Sequence, residues 1–214
     1  NLFERNDYYG QINPIAWEIG HILFFWQHLV CKNLGYDNFF TDPELYDSFK
    51  ISRERRFASK TKINITSILN AYKNVKEYLI NYINMFKITT TSCYLIRLGQ
   101  LHQDMHNESL IFSAHVLGYN LFSQPISYHM ENNLSAIETI NVPGGSFIQG
   151  VPEFTNEFYF DNESPEFYQV VKPFKISKYC ITNYQYLQFV LAGGYENKDY
   201  WIDEGWFFLK EKKL

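Results

Sequence analysis

Cysteine is scarce in this chain of 214 residues: there are three, Cys31, Cys93 and Cys180, an odd count with no C-x-x-C spacing. That argues against both a disulfide framework and a thiolate zinc site, and it fits a reducing, cytoplasmic setting. Positive charge is also short. Nineteen Lys and Arg against 23 Asp and Glu leave a formal net charge of −4 and a pI near 5.9, so the clustered basic excess that a nucleic-acid partner requires is missing. The short runs "RERR" at 53–56 and "KEKK" at 210–213 read first as solvated faces. A long apolar run is lacking too. "ILFFW" is followed at once by "QHLVC", too soon for the roughly 20 residues of a membrane span, and no basic-plus-apolar leader opens the chain, so no membrane partner is expected. Asn1 stands where a methionine would begin a gene product, which leads to the expectation that an upstream piece is missing.

What is present is core material: 46% of the residues are hydrophobic and 19% aromatic, ample for a globular interior. The first 120 or so residues read as helices. Asn13 before Pro14 has the form of an N-cap with proline at the first helical position, and the apolar pattern then runs to Gly35, placed as a left-handed C′ residue. A polar connection over residues 36–62 is long enough to be functional or to carry short helices. Further helices are predicted from Thr66 to about Phe86 and from about Thr91 to Leu117, the last closed by Gly118. Beyond a boundary near residues 125–136 the texture changes. "IETINVPGGSFIQG", "EFYFDNESPEF" and "YQVVKPFKISKYCITN" are short apolar segments cut by Gly, Pro and Asn, the pattern of strands and turns. One short helix is predicted in "TNYQYLQFVLAGG", with Thr182 as N-cap and Gly193 at its end.

Six histidines fall in the helical part or just after it. His28, His115 and His129 read as structural or superficial residues. His102 and His106 differ, because residues four apart on a helix have Cβ atoms about 5–6 Å apart, within reach of one divalent ion. Gly99, Ser109 and Ser113 on the same side are small where a packed helix would carry Leu or Phe, which leaves room beside the imidazoles. His21, four after Trp17 on the first helix and next to Gly20, points along an apolar face and is the candidate third ligand. Three neutral imidazoles leave metal positions open for substrate and oxygen, the layout of a non-haem iron or catalytic zinc centre. A zincin is excluded: Gln103 stands at the position of the glutamate in H-E-x-x-H and cannot take a proton. Arg53, Arg55 and Arg56 are either a substrate-carboxylate contact, which guanidinium matches bidentately, or a solvated basic turn.

The segments "NPIAWEIGHILFFWQ", "LHQDMHNESLIFSAHVLGY", "VPGGSFIQG", "FYFDNESPEF", "PFKISKYCITNYQYLQFVLAGGY" and "YWIDEGW", in this order, resemble the sulfoxide synthases of ergothioneine biosynthesis. The resemblance spans nearly the whole chain. It implies an α+β architecture: a DinB-like helical bundle over residues 1–130, followed over 137–214 by the first part of a formylglycine-generating-enzyme-type (C-type-lectin-like) domain. It also implies that His21, His102 and His106 bind Fe(II), and that the reaction joins the sulfur of cysteine or γ-glutamylcysteine to the imidazole of trimethylhistidine with O₂. Two positions depart from the pattern, Gln103 where an acidic residue is common and Phe167 where a histidine is usual. The family's catalytic tyrosine and most of its substrate pocket are expected beyond Leu214. A DinB-like thiol transferase, a selenium-handling homologue and a non-catalytic metal-binding remnant remain as alternatives. With a bundle short of one helix and a second domain cut short, Trp201, Trp206, Phe207 and Phe208 are expected at the surface, and the chain alone is expected to be poorly soluble and nearly inactive.

Overall fold

The structure is a computed structural model that describes residues 12–58, 63–119, 137–155 and 157–212. The chain divides into two compact units, Asn1–Ile126 with Asn156–Phe158, and Ser127–Thr155 with Tyr159–Leu214. The first is helical, and the second mixes strands with short helices.

The first unit is organised around helix α1 (Ile15–Phe24), in which every residue but Ile19 is buried. A helix apolar on all sides belongs at the centre of a domain, and α1 packs against α4 (Ile65–Met85), α5 (Thr90–Val116) and the one-turn helix α2 (Pro43–Tyr46). Trp17, Leu23, Phe24, Trp26, Tyr46, Ile68 and Val75 are among the residues of the resulting core. The helical path continues past Phe24 as a π-helical segment, Phe25–Val30, and a 3₁₀ turn, Cys31–Leu34, before Gly35 ends it at φ 95°. Gly35 therefore takes the left-handed conformation its position predicts. The N-terminus differs from the expectation: Pro14 occupies the cap position with no side-chain cap bond, and the Asn13 Oδ1 atom instead accepts from Arg56 Nη1 at 3.1 Å.

The 36–62 connection carries two short helices, α2 and α3 (Arg53–Ala58). Its first part is pinned by the π segment. Buried Gln27 accepts through Oε1 from Phe40 N, Thr41 N and Thr41 Oγ1 at 3.2, 3.1 and 2.8 Å, and His28 Nε2 lies 3.0 Å from Thr41 O. Asp42 then caps α2 by accepting from Glu44 N at 2.9 Å, with Pro43 opening the helix, which places Tyr46 under α1. Helix α4 starts one residue before the predicted Thr66 because Asn64 caps it through Ser67 N. Helix α5 has a capping box between Thr89 and Ser92 and closes before Gly118 at φ 78°.

In the second unit, β1 (Thr139–Val142) pairs antiparallel with β4 (Phe174–Ser177), and β2 (Gly145–Gln149) pairs antiparallel with β3 (Phe167–Val171). The registers Val142↔Phe174 and Gly145↔Val171 make this one ribbon with a bend. The bend needs Gly144, at φ 74°, where a Cβ would lie 2.4 Å from the Val171 carbonyl oxygen. The stretch "EFYFDNESPEF", expected to contribute a strand, is irregular up to Phe167, with a 3₁₀ turn at Asp161–Glu163. Glu163 reaches back to accept from Phe160 N at 2.7 Å, a local bond that competes with strand pairing.

Helix α6 (Asn183–Leu191) has the predicted Thr182 cap, reinforced by Gln185, and Gly193 follows at φ 74°. Helix α7 (Asp203–Lys212) is not announced by periodicity: "GWFFL" has no clear helical period, and the charge pattern, acidic in the first turn and basic in the last, is its local signature. Trp201 and Trp206 are half-buried, whereas Phe207 and Phe208 are 71% and 51% exposed. Among the described residues no helix is long and apolar enough to cross a membrane.

Candidate metal centre

Helix α1 brings His21 against His102 and His106 of α5. The ring centroids are 5.3 Å apart for His21 and His102, 5.0 Å for His21 and His106, and 4.6 Å for His102 and His106. One ring nitrogen from each falls in a group whose members all lie within 4.8 Å of one another. The rings meet at 58–71° rather than stacking on each other, so edges, where the nitrogens are, converge.

Each ring is held from outside the cluster. His21 Nδ1 lies 2.8 Å from the Tyr46 carbonyl oxygen; a carbonyl only accepts, so the proton is on Nδ1 and the lone pair on Nε2. His106 Nδ1 lies 2.8 Å from Glu18 Oε1, with the same consequence for its Nε2. The Trp17 ring stacks on His21 at 5.1 Å and 8°, and Phe25 stacks on His102 at 3.6 Å and 9°. Trp17 is itself fixed by a 2.7 Å bond from Nε1 to Leu45 O and by the Arg56 guanidinium 4.2 Å above its ring. Of the three, His102 alone is incomplete: its Nδ1 is buried and has no hydrogen-bond partner among the described residues. A buried imidazole nitrogen without a partner calls for an explanation, and a cation between the rings is one that fits.

Electrostatics favour uncharged rings at two of the three positions. Burial holds His21 below its usual pKa, although the Tyr46 carbonyl opposes the shift. Burial, then the neighbouring His106 and His21, pushes His102 down to about 3. A neutral imidazole has the lone pair a metal needs. The same shift has a consequence for the metal-free fold. In the unfolded chain His102 takes up a proton near pH 6.5, and in the folded chain only near pH 3, so the unfolded state binds more protons between those values and stability falls as pH falls through that window. Between pH 7.5 and 4.5 the contribution is on the order of 2 kcal/mol. Urea titrations in chelator at the two pH values should show it, and His102→Asn should reduce the difference by about that amount, with His21 supplying a remainder of the same sign; an unchanged difference would rule out His102 as a source.

The remaining candidates lie elsewhere. His28 is stacked between Phe24 and Phe39 at 4.8 and 4.7 Å, His115 is exposed, and His129 lies outside the described residues. Gly99 does not leave room beside the imidazoles, because the Trp26 ring occupies that space: a Cβ there would lie 2.6 Å from Trp26 Cζ3. Ser109 is half-buried and Ser113 fully buried. Gly20 admits an aromatic side chain, Tyr46, rather than another backbone. Gln103 accepts from Trp26 Nε1 at 2.7 Å. Arg53 and Arg56 are half-buried and hold backbone carbonyls of the fold rather than forming a fully solvated turn. Arg53 Nη2 donates to Ile12 O at 2.8 Å and Arg56 Nη2 to Ser48 O at 3.0 Å, because both share the inward side of α3 with buried Phe57; Arg55 is exposed. A cavity of about 290 Å³, lined in part by Gln27, Tyr36, Phe39 and Asn70, includes none of the three clustered histidines. Cys31 is buried with its thiol pushed up to about 12, which leaves it inert.

Sequence reasoning missed Glu18, Trp17 and Tyr46. Glu18 carried a signal, being the single Asp, Glu, Lys or Arg between Asp7 and Lys32. Tyr46 carried none.

In comparison with known proteins, residues 126–212 match the family model of the sulfatase-modifying factor enzyme 1-like domain, FGE-sulfatase. Two curated relatives are hercynine oxygenases. The protein of that name from Mycolicibacterium smegmatis is 28% identical over 114 residues, covering 53% of this chain and 27% of the relative. The one from Mycolicibacterium thermoresistibile is 32% identical over 68 residues, covering 32% of this chain and 15% of the relative. The chain thus spans a minor part of the length of either.

Proposed function

We propose that this chain is the metal-bearing part of a non-haem iron(II)-dependent sulfoxide synthase of the hercynine-oxygenase type. Its partners are a small thiol, cysteine or γ-glutamylcysteine, together with trimethylhistidine and O₂. The observation that carries the reading is the convergence of His21, His102 and His106, two with their Nδ1 protons committed and one with a buried nitrogen that has no partner among the described residues. Similarity to two hercynine oxygenases and to the FGE-sulfatase domain supports the same assignment. In this reading residues 1–130 form a DinB-like bundle and residues 137–214 part of the second domain.

His21, His102 and His106 would hold the ion. Iron supplies the one-electron and O₂ chemistry that protein side chains lack. The chain's own residues set the conditions. Tyr46 O and Glu18 fix two tautomers so that Nε2 is the available donor. Trp17 and Phe25 lie flat on two of the rings, which excludes water from those faces and restrains ring rotation.

Iron-loaded chain, prepared without oxygen, should retain about one Fe(II) per chain, the ratio three histidines around one ion require. With trimethylhistidine, a thiol and air it should accumulate the sulfoxide, which mass spectrometry detects even at slow turnover. Retained iron with oxidation of thiol alone would replace this reading by that of a thiol-handling enzyme. Absence of iron would refute the metal centre altogether.

A further inference from the structure

Glu18 is fully buried in the central helix, 0% exposed. Its Oε1 lies 2.8 Å from His106 Nδ1, and its Oε2 is buried with no hydrogen-bond partner among the described residues. For the fold alone this is a poor choice. Burying a carboxyl group with one oxygen unpaired costs free energy, and an apolar residue of similar size would not incur that cost. Apart from His21, the buried residues of α1 follow the apolar rule: Ile15, Ala16, Trp17, Ile22, Leu23 and Phe24 are all buried around it. A residue that weakens the element it sits in is expected where function is served at the expense of stability.

We propose that Glu18 is a positioning residue of the metal centre: through the Nδ1 proton of His106 it presents that ring's Nε2 to the ion, at a cost to the metal-free fold. The assignment rests on His21, His102 and His106 being the ligand set. The geometry is the carboxylate–histidine–metal relay, in which the outer carboxylate fixes tautomer and ring orientation and raises the basicity of the ligating nitrogen. The competing role is a plain staple between α1 and α5. The two roles differ in sign. A staple stabilises the metal-free chain, so its removal weakens the fold; a positioning carboxylate with an orphaned oxygen does not.

The test compares the wild-type chain with Glu18→Gln and Glu18→Leu, measuring Co(II) affinity, the visible spectrum of the Co(II) form, and urea unfolding in chelator. Gln keeps an oxygen acceptor for the Nδ1 proton, whereas Leu removes it. Affinity should fall about 10-fold in Glu18→Gln and about 100-fold in Glu18→Leu, with an altered ligand-field spectrum, while the metal-free midpoints stay at or above wild type. Wild-type affinity and spectrum in Glu18→Leu would overturn the assignment while leaving the ligand set intact. A metal-free midpoint lowered in both variants with Co(II) affinity and spectrum unchanged would establish the staple instead. Failure of the wild-type chain to bind Co(II) would remove the ligand set, and this assignment with it.

Discussion

Alanine in place of His102 should weaken metal binding by roughly 10²–10³-fold and leave the metal-free chain folded. The first magnitude follows from complete structural zinc sites, where about 10–16 kcal/mol is shared among four ligands, or roughly 2.5–4 kcal/mol each. Iron(II) binds more weakly than zinc in a given site, so the lower end applies to it. The second expectation follows from the surroundings of His102. Its Nδ1 has no partner to lose, and removing the ring forfeits mainly the 3.6 Å stack on Phe25, worth about 0.5–1.5 kcal/mol beyond burial. Competition titrations with a chromophoric chelator measure the first quantity and urea unfolding the second. His28→Ala is the control: its ring contacts Phe24, Phe39 and Thr41 O, so it should leave metal affinity unchanged. Equal affinity in wild type and His102→Ala would remove His102 from the ligand set.

Gly20→Ala should destabilise the chain by about 1–3 kcal/mol and weaken metal binding by about 10-fold. In an ordinary helix interior the same substitution gains about 0.8–1.0 kcal/mol, so the sign is a test of packing. The added Cβ would lie 2.1 Å from Tyr46 Cε1 and 2.7 Å from both Cδ1 and Cζ, well inside contact. Tyr46 is 5% exposed and has no solvent side to swing toward. It must shift with its short helix, and its carbonyl oxygen is the partner of His21 Nδ1, so the strain reaches a ligand. Thermal melts with and without metal measure both effects. A more stable variant would show that Tyr46 yields freely and that the contact is not a constraint.

Both substitutions act on features with different origins. The spacing of His102 and His106 was legible because i,i+4 adjacency is a property of any α-helix. For the same reason Gly35, Gly118 and Gly193 marked helix ends and Thr182 marked a start: cap chemistry acts over three or four residues. The bent ribbon of the second unit was foreshadowed by "VPGG", since glycine alone takes the φ of 74° at Gly144 easily. Where two local signals compete, the segment alone does not decide between them. Asn13 looked like a cap but serves Arg56, and the "DNESP" segment turned instead of pairing.

Chain-local chemistry was thus enough to specify the helices, their caps and two of the three clustered imidazoles as neighbours. The fold decided which nitrogens are free, what holds them and what fills the space beside them. His106 meets Glu18 across 88 residues and His21 meets Tyr46 O across 25. The space beside Gly99 belongs to Trp26, and the Arg56 guanidinium lies over the Trp17 ring. Such contacts depend on how α1, α2, α3 and α5 pack together, and packing is a many-body outcome of side-chain volume that no spacing along one segment encodes.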